Sequence, residues 1–166
     1  MIDQFQSDER GAEKVYLETT IPSYLTAKPS ENLIAGARQL ITQRWWETER
    51  MRFRLYVSDV VYLECSQGDS EASTRRLGVI EDIPSLGIND ETINLAETLF
   101  AELGIPEKAR DDALHISLAC FYEIDYLLSW NFKHIVNASA IRKLRRIIER
   151  TNYRLPQICT PEELFQ

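Results

Sequence analysis

The sequence lacks the features that mark several classes of protein. It has only three cysteines, Cys65, Cys120 and Cys159, which are widely spaced and include no CxxC pair. This pattern is typical of buried thiols in a reducing compartment rather than of a disulfide framework. No apolar run reaches the roughly 18 residues that span a bilayer, so we expect no membrane segment and a soluble, cytoplasmic protein.

An excess of positive charge is also missing. The formal net charge of −7 argues against broad, non-specific binding to nucleic acid through a basic surface. A nucleic-acid substrate stays open, because clustered acids raise the negative count and a bound metal can offset them locally. The start of the chain is polar and acid-bearing, unlike a signal peptide. We expect residues 1–13 to form a mobile arm and residues 14–166 to form one domain.

Short apolar runs alternate with helical patterns along the chain. Strands are predicted at residues 14–17, 55–57, 84–88, 126–128 and 158–159. Helix start signals lie between them, namely Ser30, Ser58 and Asn89 as N-caps, and Gly104 ends the helix that Asn89 begins. Strands that alternate with helices predict an α/β layer fold with a short, mainly parallel central sheet.

Two of the predicted helices raise further questions. In the helix after Ser30, apolar residues follow helical spacing from Leu33 to Ile41. The helix over residues 139–151 is basic and amphipathic. Its basic residues either guide an RNA backbone or form the solvated face of a helix whose apolar side is buried, and the sequence favours neither interpretation.

Four polar residues stand where buried segments pass into the next element. Glu18 and Asn131 follow predicted strands, Glu64 lies in the helix after the second strand, and Asp112 lies near a helix start. An acid among apolar neighbours is costly unless it is paired, hydrogen-bonded or bound to a cation. Each acid alone is also explained as a surface or helix-start residue. Together, at the carboxyl edge of a parallel sheet, they predict a shared divalent metal and phosphate chemistry.

The order and spacing of these segments resemble the PIN-domain proteins of the VapC type, the toxins of type II toxin–antitoxin pairs. The resemblance covers nearly the whole chain, and the segments that carry it are 15–20 (VYLETT), 63–64 (LE), 112–119 (DALHISLA), 128–135 (LSWNFKHI) and 159–164 (CTPEEL). The resemblance implies a three-layer α/β/α fold and an endoribonuclease that depends on Mg²⁺ or Mn²⁺. It also implies an antitoxin partner, a homodimer, and products with a 5′-phosphate and a 3′-hydroxyl.

The resemblance also assigns roles to the candidate residues. Glu18, Glu64 and Asp112 would hold the metal directly or through water, and Asn131 would complete the site or orient the phosphate. Thr19 would form a hydrogen bond in the pocket. His115 lies on the same helical face as Asp112. We expect a partly buried structural histidine there, with a role in the site as the second interpretation.

Two departures from the family pattern leave an alternative open. The chain has Glu18-Thr19-Thr20 where the family has Asp-Thr-Ser/Asn, and Asn131 where the family often has Asp. Weaker metal binding, above all of a second ion, is therefore expected. The alternative is a catalytically weakened or inactive PIN protein that binds RNA or a protein partner. A phosphatase or a phosphoacceptor receiver is disfavoured, since the chain lacks Asp-x-Asp after the first strand and an obvious lone phosphoacceptor Asp.

Overall fold

The central feature of the fold is a parallel sheet of five strands flanked by helices. The structure is a computed structural model that describes residues 11–166. The strands are β1 (Lys14–Leu17), β2 (Arg54–Ser58), β3 (Ser85–Leu86), β4 (Tyr126–Leu128) and β5 (Gln157–Cys159). All neighbouring strands pair in parallel, in the order β3-β2-β1-β4-β5. This confirms the predicted α/β fold with a parallel sheet.

Helices connect the strands. They are α1 (Thr20–Thr26), α2 (Leu33–Thr48), α3 (Asp59–Cys65), α4 (Ser70–Ile80), α5 (Asp90–Leu103), α6 (Arg110–Phe121) and α7 (Ala138–Ile148). Three short 3₁₀ helices lie at Arg50–Arg52, Glu107–Ala109 and Pro161–Leu164. Among the described residues, no helix is both long and apolar enough to cross a membrane.

Several element boundaries follow from local chemistry that the sequence shows. The Ser58 side chain caps α3 by accepting from the Val61 backbone N–H. Asn89 and Thr92 form a capping box at the start of α5, and Gly104 ends that helix with a φ of 66°, in the left-handed region that glycine tolerates. The N-caps at Ser58 and Asn89 and the helix end at Gly104 were predicted and are confirmed.

The start and surface of α2 differ from the sequence-based expectation. The prediction that Ser30 is its N-cap is wrong, because the Asn32 side chain accepts from the first free backbone N–H groups of the helix. The apolar residues near its start do not face the core, since Leu33 is 89% exposed and Leu40 is 68% exposed. The buried side of α2 instead carries Gln39, Thr42 and Trp45.

The buried core lies on the central strands. Val15, Tyr16 and Leu17 of β1 and Leu127 and Leu128 of β4 are fully buried. The basic helix α7 buries its apolar side on this core, with Leu144, Ile147 and Ile148 inside. Its basic residues therefore occupy the outer face, an arrangement that both interpretations of this helix require.

The chain start lies partly outside the described residues. Residues 1–10 of the predicted mobile arm are not described by the structure. Of the remainder, the backbone carbonyls of Ala12 and Glu13 accept hydrogen bonds from Arg54.

The strand order creates a switch point between β1 and β4. The chain runs outward from β1 to β2 and β3, and then returns to place β4 on the other side of β1. Leu17 and Leu128, the last residues of these two strands, are paired in register. Ligands of open parallel sheets bind at such a point, beyond the carboxyl ends of the strands. Glu18 and Ser129 are the next residues along the two strands.

Candidate metal site at the carboxyl edge of the sheet

Glu18 lies at the switch point and is only 4% exposed. One of its carboxylate oxygens, Oε2, accepts three hydrogen bonds. Thr20 donates from its backbone N–H (3.1 Å) and its hydroxyl (2.5 Å), and the Ser129 hydroxyl donates at 2.7 Å. The site therefore fixes the Glu18 side chain from both strands of the switch point, and the hydrogen bonds offset part of the cost of burying its charge.

Glu64 approaches the same edge from α3. Its Oε2 accepts a hydrogen bond from the Thr19 hydroxyl, and the Nε2 of His115 donates to it at 3.0 Å. Burial raises the pKa of Glu64, but the hydrogen bond and charge of His115 together with the Thr19 hydroxyl outweigh it and hold the pKa below its ordinary value. Glu64 is therefore ionised at neutral pH.

His115 is fully buried behind Glu64, whereas the sequence predicted partial burial. Its Nδ1 lies 2.6 Å from the Tyr16 hydroxyl, which lies 2.7 Å from the Ser58 hydroxyl. Burial lowers the pKa of His115, but its bond to Glu64 and the neighbouring carboxylates outweigh that effect and raise the pKa above its ordinary value. This chain of hydrogen bonds ties the orientation of Glu64 to the buried strands β1 and β2.

Asp112 and Asn131 form the second half of the site. The Asn131 side-chain amide donates to Asp112 Oδ1 at 3.0 Å, while the Asn131 side-chain oxygen accepts from the His134 backbone N–H at 3.1 Å. Burial, opposed in part by His115, raises the pKa of Asp112 to about 6, and the charge of Glu18 adds to that rise. Asp112 is thus partly buried near the negative charge of Glu18, and the positive charge of His115 offsets only part of these two effects.

Ser129 joins the two halves of the site. Its hydroxyl oxygen accepts from the Asn131 backbone N–H at 2.9 Å while its proton goes to Glu18. Glu18, Glu64 and His115 each present a ligand atom, and these atoms lie within 4.8 Å of one another. The structure therefore places the predicted residues in two hydrogen-bonded groups, one with Thr19, Glu64 and His115 and the other with Glu18, Asp112 and Asn131. The two groups meet where the ligand atoms of Glu18, Glu64 and His115 approach one another.

The free atoms of this network fit a hard divalent cation. Each of the three carboxylates uses one oxygen in the internal bonds described above. Within residues 11–166, no donor reaches the second oxygen of Glu18, Glu64 or Asp112, and these oxygens are not among the fully buried unpaired atoms. No Lys or Arg in that range pairs with the three acids. His115 is the one cationic group within residues 11–166 that pairs with any of the three, namely with Glu64, and carboxylate oxygens are the ligands that Mg²⁺ prefers.

Sequence reasoning missed four residues of the network. Thr20, Ser129, Tyr16 and Ser58 supply hydrogen bonds that hold the carboxylates and His115. Ser129 carries a usable signal, since it follows a buried strand directly, as Glu18 does. The hydroxyl of Tyr16 carries none, because an aromatic residue within an apolar strand is the ordinary pattern of a core position.

Comparison with known proteins supports the architecture. No protein-family model matches this chain, and no curated protein matches it by sequence. Among solved structures, the chain is similar to a chain in the crystal structure of VapBC2 from Rickettsia felis bound to a DNA fragment from their promoter. The TM-score is 0.55 at 14% identity, and the match covers 89% of this chain and 98% of that one. At this identity the likeness extends to the fold, which is that of the VapBC2 chain over nearly its whole length.

Proposed function

We propose that this protein is a metal-dependent endoribonuclease of PIN type that acts as the toxin of a toxin–antitoxin pair. The observation that carries the proposal is the approach of Glu18 and Glu64 at the switch point of the sheet, where their ligand atoms lie within 4.8 Å of each other. Asp112 is joined to Glu18 through Asn131 and Ser129. The fold likeness to a VapBC2 chain supports the choice of PIN-type chemistry over other uses of an acidic edge.

The residues of this chain have separate roles in the proposed reaction. Glu18, Glu64 and Asp112 hold the metal, and a bound Mg²⁺ or Mn²⁺ would supply Lewis-acid polarisation of the phosphodiester and activation of water. Ser129 and Thr20 fix the orientation of Glu18. Thr19 and His115 fix Glu64. Such supporting bonds hold metal ligands in position and tune their basicity.

Asn131 has a narrower role in the proposed site than the resemblance implies. Its side-chain oxygen is engaged by the His134 backbone, and its amide hydrogens face Asp112. We propose that it positions Asp112 and leaves the metal to the three carboxylates. A site with three carboxylates and no fourth acid favours one bound ion over two.

The same observation favours a second candidate function. A chain with one weakly held ion, or none, would be a catalytically weakened PIN protein that binds RNA or a protein partner. Calorimetry with Mn²⁺ distinguishes the two functions. The nuclease gives saturable heat and cleavage that chelator abolishes, whereas the binding module gives no saturable heat and binds RNA equally well with chelator present.

Partner proteins are part of the proposal. We propose an antitoxin partner and a homodimer, and the exposed apolar residues of α2 support a surface for protein association. Leu33, Ile34 and Leu40 are 65–89% exposed, which is unusual for such side chains on one helix. The three cysteines are free and buried, which supports the reducing cytoplasm as the compartment.

The direct test is RNA cleavage by matched variants. Labelled structured and unstructured RNA would be incubated with the protein in Mg²⁺, Mn²⁺ or EDTA. We expect cleavage with either metal, none in EDTA, and none with Asp112→Asn. The control is Asp111→Asn, which removes an exposed acid from the adjacent position of the same helix. Cleavage by Asp112→Asn at the wild-type rate would remove Asp112 from the mechanism.

A further inference from the structure

A cluster of aromatic rings around one arginine lies beside the acidic site. The Arg38 guanidinium lies over three rings, 4.8 Å from the centroid of Phe132, 5.6 Å from that of Trp130 and 6.0 Å from that of Tyr24. Arg38 Nη1 also donates to the Tyr24 hydroxyl at 3.2 Å. We call Tyr24, Arg38, Trp130 and Phe132 the aromatic platform.

The platform is connected directly to the candidate metal ligands. Trp130 and Phe132 are the neighbours of Asn131 in the chain. The Trp130 backbone N–H donates to the Thr20 hydroxyl at 2.8 Å, and that hydroxyl donates to Glu18. Thr20 therefore links Trp130 to the Glu18 carboxylate, so a ligand held by the platform lies beside the acidic edge of the sheet.

The platform is held in place at Trp130 and is exposed at Phe132. The Trp130 indole N–H donates to the Thr42 hydroxyl at 2.8 Å, and only 5% of Trp130 is exposed. Phe132 by contrast is 40% exposed. Phe132 therefore leaves part of its side chain accessible to a ligand.

Arg38 carries a charge that the described part of the chain does not neutralise. Among residues 11–166, no carboxylate forms an ion pair with Arg38, although seven other ion pairs occur there. The platform thus offers a planar cation and an exposed aromatic ring side by side. Arginine binds phosphate through its fork of N–H donors, and aromatic rings stack on bases.

Tyr24 extends the platform away from the metal ligands. Its ring also lines a cleft between α1 and α2 of about 470 Å³, which Lys28 lines as well. A strand that leaves the platform along this cleft would meet a second cation, Lys28, beside the Tyr24 ring. Both suit a flexible backbone with unpaired bases.

We propose that the aromatic platform binds an unpaired nucleotide of a single-stranded RNA, with the base against Phe132 and a neighbouring phosphate at Arg38. This inference rests on the proposed ribonuclease function, and it specifies the substrate as single-stranded. In an A-form duplex the bases are stacked and paired, so Phe132 has no free base to stack on. The platform thereby selects the unpaired segments of RNA for the acidic edge.

The test measures RNA binding separately from cleavage. Binding of a short labelled single-stranded RNA would be followed by fluorescence anisotropy, with Mn²⁺ on the Asp112→Asn background and with EDTA on the wild type. Phe132→Leu keeps an apolar side chain but removes the ring, and we expect the Kd to rise about 10-fold or more. Arg38→Gln should weaken binding and lower the salt dependence by about one phosphate contact.

The chain offers a matched control for Phe132. Phe100 also lies under an arginine, with the Arg110 guanidinium 4.0 Å from its ring centroid, but Arg110 is neutralised by Glu97 and Glu107. Phe100→Leu should leave the Kd unchanged. A fully paired RNA of the same sequence should bind more weakly, and Phe132→Leu should not alter that binding.

A second measurement changes the RNA and combines that change with Phe132→Leu. The wild type is titrated with the same single-stranded RNA and with versions that lack one base at successive positions. One abasic position should weaken binding about as much as Phe132→Leu does, and the two changes together should cost no more than either alone. Equal Kd values for the intact and abasic RNAs, or for Phe132→Leu and the wild type, would overturn the proposal that the platform binds a base.

The outcomes distinguish failure of the platform proposal from failure of the nuclease proposal. If the wild type cleaves RNA while Phe132→Leu binds as tightly as the wild type, the platform is wrong and the nuclease stands. If Phe132→Leu and the abasic RNA bind weakly while no metal supports cleavage, the nuclease is wrong and the platform stands as a site for single-stranded RNA.

Discussion

Two regions of the molecule depart from the usual distribution of polar and apolar groups, and they do so in opposite directions. At the carboxyl edge of the sheet, Glu18 is 4% exposed and His115 is fully buried. On α2, Leu33 is 89% exposed and Leu40 is 68% exposed. The first region buries charge and the second exposes apolar surface, and both arrangements are unfavourable in isolation.

The two regions also differ in how well their own chain supports them. The acidic edge is organised by hydrogen bonds from Thr19, His115, Ser129 and Asn131, and each carboxylate has one oxygen bound internally. The apolar residues of α2 near Leu33 have no comparable support and face outward. A site for a small ion needs fixed ligands, whereas a surface for a protein needs only exposed area. The comparison thus supports the proposals of an ion site in the first region and of a surface for protein association in the second.

The largest effect is expected on RNA cleavage, from a substitution at the acidic edge. Glu18→Gln removes one charge from the carboxylate at the switch point, and we expect RNA cleavage in Mn²⁺ to fall about 100-fold or more, because the loss of a metal ligand removes several kcal/mol of transition-state stabilisation. Cleavage rates at saturating metal measure this effect. Glu71→Gln, at an exposed acid of α4, should retain the wild-type rate. Equal rates for Glu18→Gln and the wild type would show that the first carboxylate is dispensable.

A smaller effect on stability and on metal affinity is expected behind the proposed metal ligands. Tyr16→Phe removes the hydroxyl between His115 and Ser58, so that buried polar atoms lose a partner and the free energy of unfolding falls by about 1–3 kcal/mol. The affinity for Mn²⁺ should also fall by about 10-fold, since the supporting bond of Glu64 is loosened. Urea unfolding and Mn²⁺ titration measure the two effects.

The control for this prediction is Tyr126→Phe. The Tyr126 hydroxyl forms its hydrogen bond with Glu13 at an exposed position. Its removal should change the free energy of unfolding by less than about 0.5 kcal/mol. If both tyrosine variants lose the same stability, the buried network does not organise the acidic edge.

The pH dependence of stability tests the charge at Asp112. The pKa of Asp112 is about 6 in the folded chain, above its ordinary value of 3.8, so folding favours the protonated form. In the metal-free protein, Asp112 therefore contributes stability that is full below about pH 4 and is lost as the pH rises through 6. Asp112→Asn lacks that contribution to the pH dependence of the free energy of unfolding. Melting curves of the two proteins between pH 4 and 7 should diverge, and parallel curves would contradict the raised pKa.

The smallest effect on folding is expected on α2. Leu33→Glu combined with Leu40→Glu should change the free energy of unfolding by no more than about 0.5 kcal/mol, because both side chains are already exposed. Light scattering should show the wild type at twice the chain mass of 19.3 kDa and the variant at 19.3 kDa. Ile93→Glu, at a partly exposed position of α5, should leave the dimer intact. A dimeric double variant would place the dimer interface elsewhere.

The fold could be predicted well from the sequence because its signals are local. The N-cap at Asn89, the glycine at Gly104 and the buried run at residues 126–128 each identify an element from a few adjacent residues. The exception is α2, where helical spacing is present but the apolar residues near its start face outward. Spacing shows which residues share a face, but the neighbouring elements decide which face is buried.

The site could be predicted only in part, because its hydrogen bonds join distant residues. The carboxylates stood out since acids among apolar residues are unusual. The residues that support the carboxylates did not stand out, because they are distant in sequence: Ser129 is 111 residues from Glu18, and Tyr16 is 99 residues from His115. The aromatic platform was missed for the same reason, since Arg38 and Phe132 lie in separate elements and neither is unusual in its local context.

The central claim is that the carboxylates at the carboxyl edge bind a divalent cation, and the most direct test is calorimetric titration with Mn²⁺. The wild type should give saturable heat, and Glu64→Gln should give none, whereas Asp111→Asn should bind as the wild type does. Heat that does not saturate in the wild type, or an equal Mn²⁺ affinity in Glu64→Gln, would contradict the claim.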